Sequence, residues 1–380
     1  MKVCAELRSI ICNSNHELLL LSKEWGVTLL SLAGFVFFLA WWGTSRLCRR
    51  TSKLFLLDHP NPRSLHAVPT PRTGGVAILG SLFLGLIAAR VLGTLVTREG
   101  LSWSGWGYLE SGILGMTMLL SLVSFFDDRG GVPVWLRLGC QFAASGILTL
   151  GVGLLLPAIQ LPFLGTIKLE WLEAALTILL LVWMTNLYNF MDGMDGFAGG
   201  MTVIGCGFMA YFAWMAGHEF ILVSALLLSL ASAGFLVHNL PPAKIFMGDV
   251  GSIAIGFLCG ALTILGCQDG VFDFWVPLIL FSPFILDATV TLIRRVLQRE
   301  KIWVAHRTHY YQRLVLSGWG HRKTVLAEYT VMCLCGGMAV LYQYAQGEWR
   351  LILLGGWAIL FISLALAVQR VECRMSESDY

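Results

Sequence analysis

Along the chain, long apolar runs alternate with short polar segments. A helix that crosses a bilayer needs about 20 mostly apolar residues, and by that measure the sequence predicts about eleven spans. The runs begin near Gly26, Gly75, Tyr108, Trp135, Trp171, Phe197, Glu219, Gly251, Val271, Thr324 and Trp349. They are apolar all round and lack the alternation of a barrel strand. Backbone groups in lipid must be satisfied within each segment, which only helices do singly. The pattern therefore predicts an all-α polytopic membrane protein.

Domain organisation follows from the same pattern. Residues 25–369 form one integral membrane domain, with an N-terminal segment 1–24 outside the cytoplasm and a cytoplasmic tail 370–380. The N-terminus carries Glu6, Arg8, Glu17, Lys23 and Glu24, and lacks the compact order of a cleavable signal peptide. It is expected to stay as a short helix at the membrane surface.

Composition agrees with the class. Hydrophobic residues make up 57% of the 380, and charged residues 13%, against about 25% charged in soluble proteins. The net charge of +3 is small and dispersed, which excludes a nucleic-acid partner. The ten cysteines form no CxxC pair or His/Cys ligand cluster, so they are expected as small core or lipid-facing residues.

With eleven spans, the odd-numbered loops and the C-terminus lie on one side. The first loop holds Arg46, Arg49, Arg50, Lys53, Arg63 and Arg72, and the ninth is basic from Arg294 to Lys323. The positive-inside rule places these loops in the cytoplasm. The unusual polar motifs fall in the same loops. They read "DHPNPRSLHAVPTPRTGG", "FFDDRGG", "NFMDGMDGFAGG", "HNLPPAKIFMGDVGS" and "AHRTHYYQRL", while the even loops are ordinary connections. One site at the cytoplasmic membrane surface, built from five loops, is the simplest account.

The residue types point to phosphate chemistry. Carboxylates (Asp127, Asp128, Asp192, Asp195, Asp249), amides (Asn186, Asn189, Asn239) and cations (Arg129, Arg137, Lys244, Arg307) accompany glycine-rich turns. Hard oxygen ligands suit Mg²⁺ beside substrate phosphates, and fixed cations stabilise charge in phosphoryl transfer. Each motif also has a plainer meaning. The Asp127–Asp128 pair would serve as a solvated helix end. Asp192 and Asp195 would share a helix face or build a tight turn. Asp249 would cap the next helix. His306 and His309 lack the further ligands of a zinc site. A transporter or flippase for an anionic lipid or solute is the competing class, but it favours charge near the bilayer midplane and internal repeats.

Together these stretches, with "FFDDRGGVPVWLRLGCQ" and "NLYNFMDGMDGFAGG" among them, resemble the polyprenyl-phosphate N-acetylhexosamine-1-phosphate transferase superfamily, glycosyltransferase family 4, from about Asp58 to Leu314. The first loop and "HRTHYYQRL" are most similar to the branch that starts bacterial O-antigen in lipopolysaccharide synthesis. The peptidoglycan translocases of the superfamily carry three adjacent histidines where this chain has His306, Arg307 and His309, which argues against a UDP-muramoyl-pentapeptide substrate. The resemblance implies a multi-pass enzyme of the bacterial inner (plasma) membrane that uses Mg²⁺, with Mn²⁺ as a substitute. It would join a UDP-N-acetyl sugar to undecaprenyl phosphate and release UMP. GlcNAc, GalNAc, FucNAc and QuiNAc donors remain open, as does a homodimer. Carried onto this chain, Asp249 resembles a metal ligand and Asn189 a second ligand or pyrophosphate contact. Asp127 and Asp128 match the catalytic pair beside the lipid phosphate. Asp192, Asp195 and Asn239 match the nucleotide pocket, Arg137 a phosphate-facing cation, and His306, Arg307 and His309 the loop that meets sugar and diphosphate.

Overall fold

The structure, a computed structural model, describes residues 23–49, 52, 56–60, 65–66, 68–96, 106–161, 165–168, 170–301 and 306–378. The expected N-terminal surface helix, up to residue 22, and part of the first loop lie outside these residues. The chain is an all-α bundle. Its helices are α1 Lys23–Leu47, α2 Gly74–Val96, α3 Tyr108–Gly130, α4 Val134–Gly146 and α5 Glu173–Met191. They continue as α6 Phe197–Ala216, α7 Glu219–Asn239, α8 Gly248–Gln268, α9 Trp275–Leu280 and α10 Ser282–Leu297. The last three are α11 Tyr310–Leu314, α12 Gly320–Tyr344 and α13 Glu348–Ser378. Two short antiparallel ladders, Leu57–Asp58 with Thr70–Pro71 and Ile159–Leu161 with Gly165–Ile167, close loops at the bundle ends.

Helix starts follow the sequence pattern at every expected span, but two spans are interrupted. Among the described residues, 9 helices are long and apolar enough to cross a membrane. The fourth expected span runs as α4 and then widens into a π-helical turn, Ile147–Gly151. The ninth is divided at Phe281, between α9 and α10. Pro283, in the first turn of α10, has no N–H to bond back across the break. Apolarity continues through both interruptions, so hydropathy alone does not register them.

Helix α8 is the axis of the bundle, with every residue from Val250 to Cys267 buried. Lipid offers no hydrophobic gain for helix association, so close backbone packing has to supply it. That packing is visible where α2 starts against α8. A Cβ on Gly75 would stand 2.2 Å from the Gly251 nitrogen, and α5 approaches through Gly256, where a Cβ would lie 2.7 Å from the Met184 carbonyl. Buried hydroxyls bond back to their own helices, as in Ser81 to the Ala77 carbonyl (2.8 Å), Thr117 to Ile113 (2.8 Å) and Thr185 to Leu181 (2.7 Å). This satisfies polar atoms that burial would otherwise penalise.

The two ends of the bundle are tied differently. At the even-loop end, the Leu155 N–H donates to Gln268 Oε1 (2.9 Å), His218 pairs with Asp269 (2.9 Å) and Arg350 with Asp273 (3.1 Å). At the opposite end the first and seventh loops join main chain to main chain. Gly74 N donates to the Phe246 carbonyl (2.9 Å), Gly75 N to Met247 (2.8 Å) and Phe246 N to Pro71 (2.7 Å). The first N–H groups of α2, which a helix cannot satisfy itself, are thus used to hold the loop that leads into α8.

Gly75→Val should force this crossing apart and destabilise the bundle by roughly 3 kcal/mol or more, at the upper end for overpacking. Gly80→Val is the control, since nothing lies within 4 Å of its added carbon. Thermal unfolding in detergent should separate the two variants; equal midpoints would contradict the close approach.

Candidate functional site

The helix ends that flank the third, fifth and seventh loops meet around one cation. Arg137, near the start of α4, donates from Nη1 to Asp127 Oδ2 (2.9 Å) and to Asp249 Oδ2 (3.0 Å). It thereby joins the last turn of α3 to the first turn of α8. The Val132 N–H fixes the other Asp127 oxygen at 2.6 Å. Asn189, at the end of α5, donates from Nδ2 to Asp249 Oδ1 (2.8 Å) and to Ser252 Oγ (3.0 Å). Asp127, Arg137, Asn189 and Asp249 therefore come together as the sequence anticipated.

Asp128 is not a solvated helix end, being 7% exposed. Arg72 donates from Nη2 to its backbone carbonyl (2.7 Å), with Nε 3.5 Å from the carboxylate. The Val250 N–H approaches Asp128 Oδ2 at 3.4 Å. Asp128 thus faces the start of α8, where Asp249 was expected to act as cap. Asp249 does not cap the helix. Met247 stands at the N-cap position without a side-chain bond, and the Asp249 carboxylate goes to Arg137 and Asn189. Gly248 has φ +72°, and a Cβ there would sit 2.1 Å from the Arg72 carbonyl, so only glycine allows the first loop this close.

Asp192 and Asp195 lie in a turn between α5 and α6 and are sent in different directions. Asp192 turns toward the carboxylate cluster. Burial, then the charges of Asp249 and Asp128, push its carboxyl well above the usual range. Asp195 accepts the Ala243 N–H (3.0 Å) and pairs with His321 (3.2 Å). Asn239 is 4% exposed, accepting from Gly196 N (2.9 Å) and donating to the Ile245 carbonyl (2.8 Å). Asp195 and Asn239 therefore brace the loops that flank the site. Tyr311 and Tyr329 add bonds to the Phe190 and Gly196 carbonyls, at 3.2 and 2.7 Å.

The ninth loop forms a second group. His309 Nδ1 lies 3.1 Å from Asp287 Oδ1, and its ring stands 4.9 Å from the ring of His306. Arg307 is exposed, with no ion pair among the described residues. His306 titrates at about 4, held down by burial first and then by His309 and Arg295. Tyr311 connects this group to the carboxylates through its bond to the Phe190 carbonyl in the last turn of α5.

Four carboxylates (Asp127, Asp128, Asp192, Asp249) gather beside two guanidinium groups, Arg137 bonded to Asp127 and Asp249 and Arg72 set against Asp128. That surplus of negative charge, with partly exposed Asp249 and an uncommitted carbonyl oxygen on Asn189, fits a divalent cation shared with substrate phosphates. Among the described residues no cluster of three His, Cys, Asp or Glu could enclose a metal alone. Mg²⁺ characteristically needs only one or two protein carboxylates. Cys206, Cys259, Cys267 and Cys335 are buried, in keeping with a packing role.

The sequence pointed to no role for Ser252, Asp287 or His321, and left Arg72 evenly placed between a site residue and a positive-inside cation. Arg72 stands in the conspicuous "PTPRTGG" stretch. Asp287 is an ionisable residue inside an apolar run, which is itself a functional signal.

Comparison with known proteins places this geometry in context. The glycosyl transferase family 4 model matches residues 111–267. The chain is 32% identical over 322 residues to a Bacillus subtilis (strain 168) protein named probable undecaprenyl-phosphate N-acetylglucosaminyl 1-phosphate transferase, covering 83% of each. It is 31% identical over 306 residues to the decaprenyl-phosphate N-acetylglucosaminephosphotransferase of Mycobacterium tuberculosis (strain ATCC 25618 / H37Rv), 73% of each chain. A phospho-N-acetylmuramoyl-pentapeptide-transferase of Synechococcus sp. (strain JA-2-3B'a(2-13)) is 28% identical, over 73% of this chain and 80% of its own.

Two outcomes follow from the geometry. Arg137→Ala should cost roughly 1–3 kcal/mol, less than a fully buried pair because solvent screens these groups. Adding Asp249→Asn should return part of that loss in thermal unfolding; strictly additive losses would contradict the shared cation. The unfolded His306 ring takes a proton near 6.5 and the folded ring near 4. Stability is therefore full above about 6.5 and falls as pH drops toward 4. His306→Gln should flatten the stability profile in that window.

Proposed function

The chain belongs to glycosyltransferase family 4, the polyprenyl-phosphate N-acetylhexosamine-1-phosphate transferases, and from that premise we propose that it transfers N-acetylglucosamine 1-phosphate from UDP-GlcNAc to undecaprenyl phosphate. UMP is released, and the lipid-linked sugar starts a cell-surface polysaccharide, O-antigen of lipopolysaccharide being the specific product in this reading. GlcNAc is favoured because the Bacillus and Mycobacterium relatives carry that sugar in their names. The separation of His306, Arg307 and His309, in place of three adjacent histidines, supports the same choice. The site faces the cytoplasm of a bacterial plasma membrane, as the basic loops at that end support.

One observation carries the reading. Asp127, Arg137, Asn189 and Asp249, from the ends of α3, α4, α5 and α8 at the same end of the bundle, form one bonded group. A transporter would need its charges near the midplane, whereas these carboxylates stand at helix ends, where a soluble nucleotide and a lipid headgroup can both reach.

In the proposed reaction, a lipid phosphate oxygen bonds to the β-phosphorus of the sugar nucleotide. The bond from that phosphorus to the bridging oxygen breaks, and UMP leaves. Both reactants are anions, so Arg137 and Arg72 screen their repulsion and allow in-line approach. Asp127 and Asp128 lie beside the entering phosphate, and one of the pair accepts its proton. Asp249 and Asn189 would hold Mg²⁺, or Mn²⁺ in its place, which when bound neutralises charge on the diphosphate. Asp192 lines the nucleotide side, with Asp195 and Asn239 keeping its loop in place. His306, Arg307 and His309 meet the sugar and diphosphate.

Purified protein should release UMP from UDP-GlcNAc only with undecaprenyl phosphate and Mg²⁺ present, and Asp249→Ala should insert normally yet lose at least about 100-fold in rate. Full activity of that variant would sink the enzymatic reading. Exchange of labelled UMP into UDP-GlcNAc without lipid acceptor should be absent; its presence would instead indicate a covalent aspartyl-phosphate step.

A further inference from the structure

We infer that Asp287 is a positioning residue that holds His309 with its proton on Nδ1 and so presents Nε2 to the sugar diphosphate. The inference rests on the transferase reading for what Nε2 meets, but not for the tautomer itself.

Asp287 lies on α10, beyond the break at Phe281, in the apolar stretch "FILDATV". It is 8% exposed, and a carboxylate so buried must be well supplied with donors. It is supplied by its own helix and by the ninth loop. Oδ1 receives the Tyr310 N–H (2.9 Å), the Thr291 hydroxyl (3.2 Å) and His309 Nδ1 (3.1 Å), and Oδ2 receives the Tyr311 N–H (3.1 Å).

An ionised carboxylate only accepts hydrogen bonds, so the ring nitrogen facing it must donate. That fixes the neutral tautomer: hydrogen on Nδ1, lone pair on Nε2. The carboxylate takes the Nδ1 edge of the ring, which leaves Nε2 on the opposite edge, facing away from Asp287. The ring plane is held as well, stacked at 14° on Tyr311 with centroids 5.9 Å apart and flanked by His306. His309 thus has its tautomer, position and plane set before substrate arrives, the arrangement by which a carboxylate orients a functional histidine elsewhere.

Asp287 also binds two N–H groups at the start of α11, so the test has to separate orienting a ring from bracing a loop. Nitrogen-15 NMR of the full-length protein with labelled histidines, in lipid nanodiscs, reads the ring directly, with His309 assigned by loss of its signals in His309→Gln. A protonated Nδ1 and unprotonated Nε2 are expected; the opposite tautomer in the wild-type protein would overturn the inference whether or not any Asp287 variant folds. In the UMP-release assay, Asp287→Asn should lower kcat about 10–100-fold, the usual effect of losing an orienting partner, with KM for UDP-GlcNAc within about twofold. In the His309→Gln background the same change should cost less than about threefold, since the ring it orients is gone. An equal loss in both backgrounds would make Asp287 a brace only and overturn the inference. Failure of the wild-type protein to use any UDP-sugar would instead defeat the transferase reading and leave the NMR result to decide the role of Asp287.

Discussion

The sharing of Arg137 between Asp127 and Asp249 is the contact on which the bundle end depends. Like charges at the ends of two packed helices repel, and the low dielectric beside a membrane makes that repulsion costly. One guanidinium nitrogen between the two carboxylates turns repulsion into a tie between α3 and α8. The remaining arrangement conforms to it. Asn189 takes the free side of Asp249, Arg72 covers Asp128, and the first loop crosses over Gly248 to reach that position. Burial first, and then the neighbouring carboxylates, leave Asp192 reluctant to ionise, so the end of the bundle is short of positive charge. A substrate arriving with a divalent cation would supply it.

Around this group the turn between α5 and α6 is tied to its neighbours. The turn that carries Asp192 is held by Asn239, Tyr311 and Tyr329, and Asp195 spends its carboxylate on Ala243 and His321. Preorganisation of this sort lets polar groups stabilise charge without first rearranging. It also divides the chain. The stretch matched by the family, residues 111–267, contains Asp127, Asp128, Arg137, Asn189, Asp192 and Asp249. Arg72, Asp287 and His309 lie outside it, supplied by the first loop and by the segment after the axis helix.

The membrane-spanning pattern was legible because lipid imposes one requirement on every span, and sequence apolarity reports it directly. The breaks at Ile147 and Phe281 were not legible, since they fall where apolarity is uninterrupted and backbone geometry alone changes. The site was legible at the level of loops, because charge at span ends is rare enough to stand out. Individual roles were harder to read. Asp192 and Asp195 are three residues apart and equally suited to one helix face, yet a turn sends one to the carboxylates and the other to the scaffold. Asp249 sits where a capping residue would, but a tertiary partner on α4 claims it. Asp287 was hidden because three of its four donors, from His309, Tyr310 and Tyr311, come from more than twenty residues away.

Helix α13 is joined to the ninth loop region by Arg313, which reaches Glu372 through Nε at 2.6 Å and through a second nitrogen, and lies over the Tyr310 ring. Contacts that order the ends of the bundle therefore extend from Arg72 to Glu372. A chain emerging from its N-terminus inserts most of the carboxylate cluster early, but the histidine loop gains its last anchor only when the final helix is in the bilayer. Loss of that helix would therefore remove the Arg313 anchor while leaving the bonds among Asp127, Arg137, Asn189 and Asp249 in place.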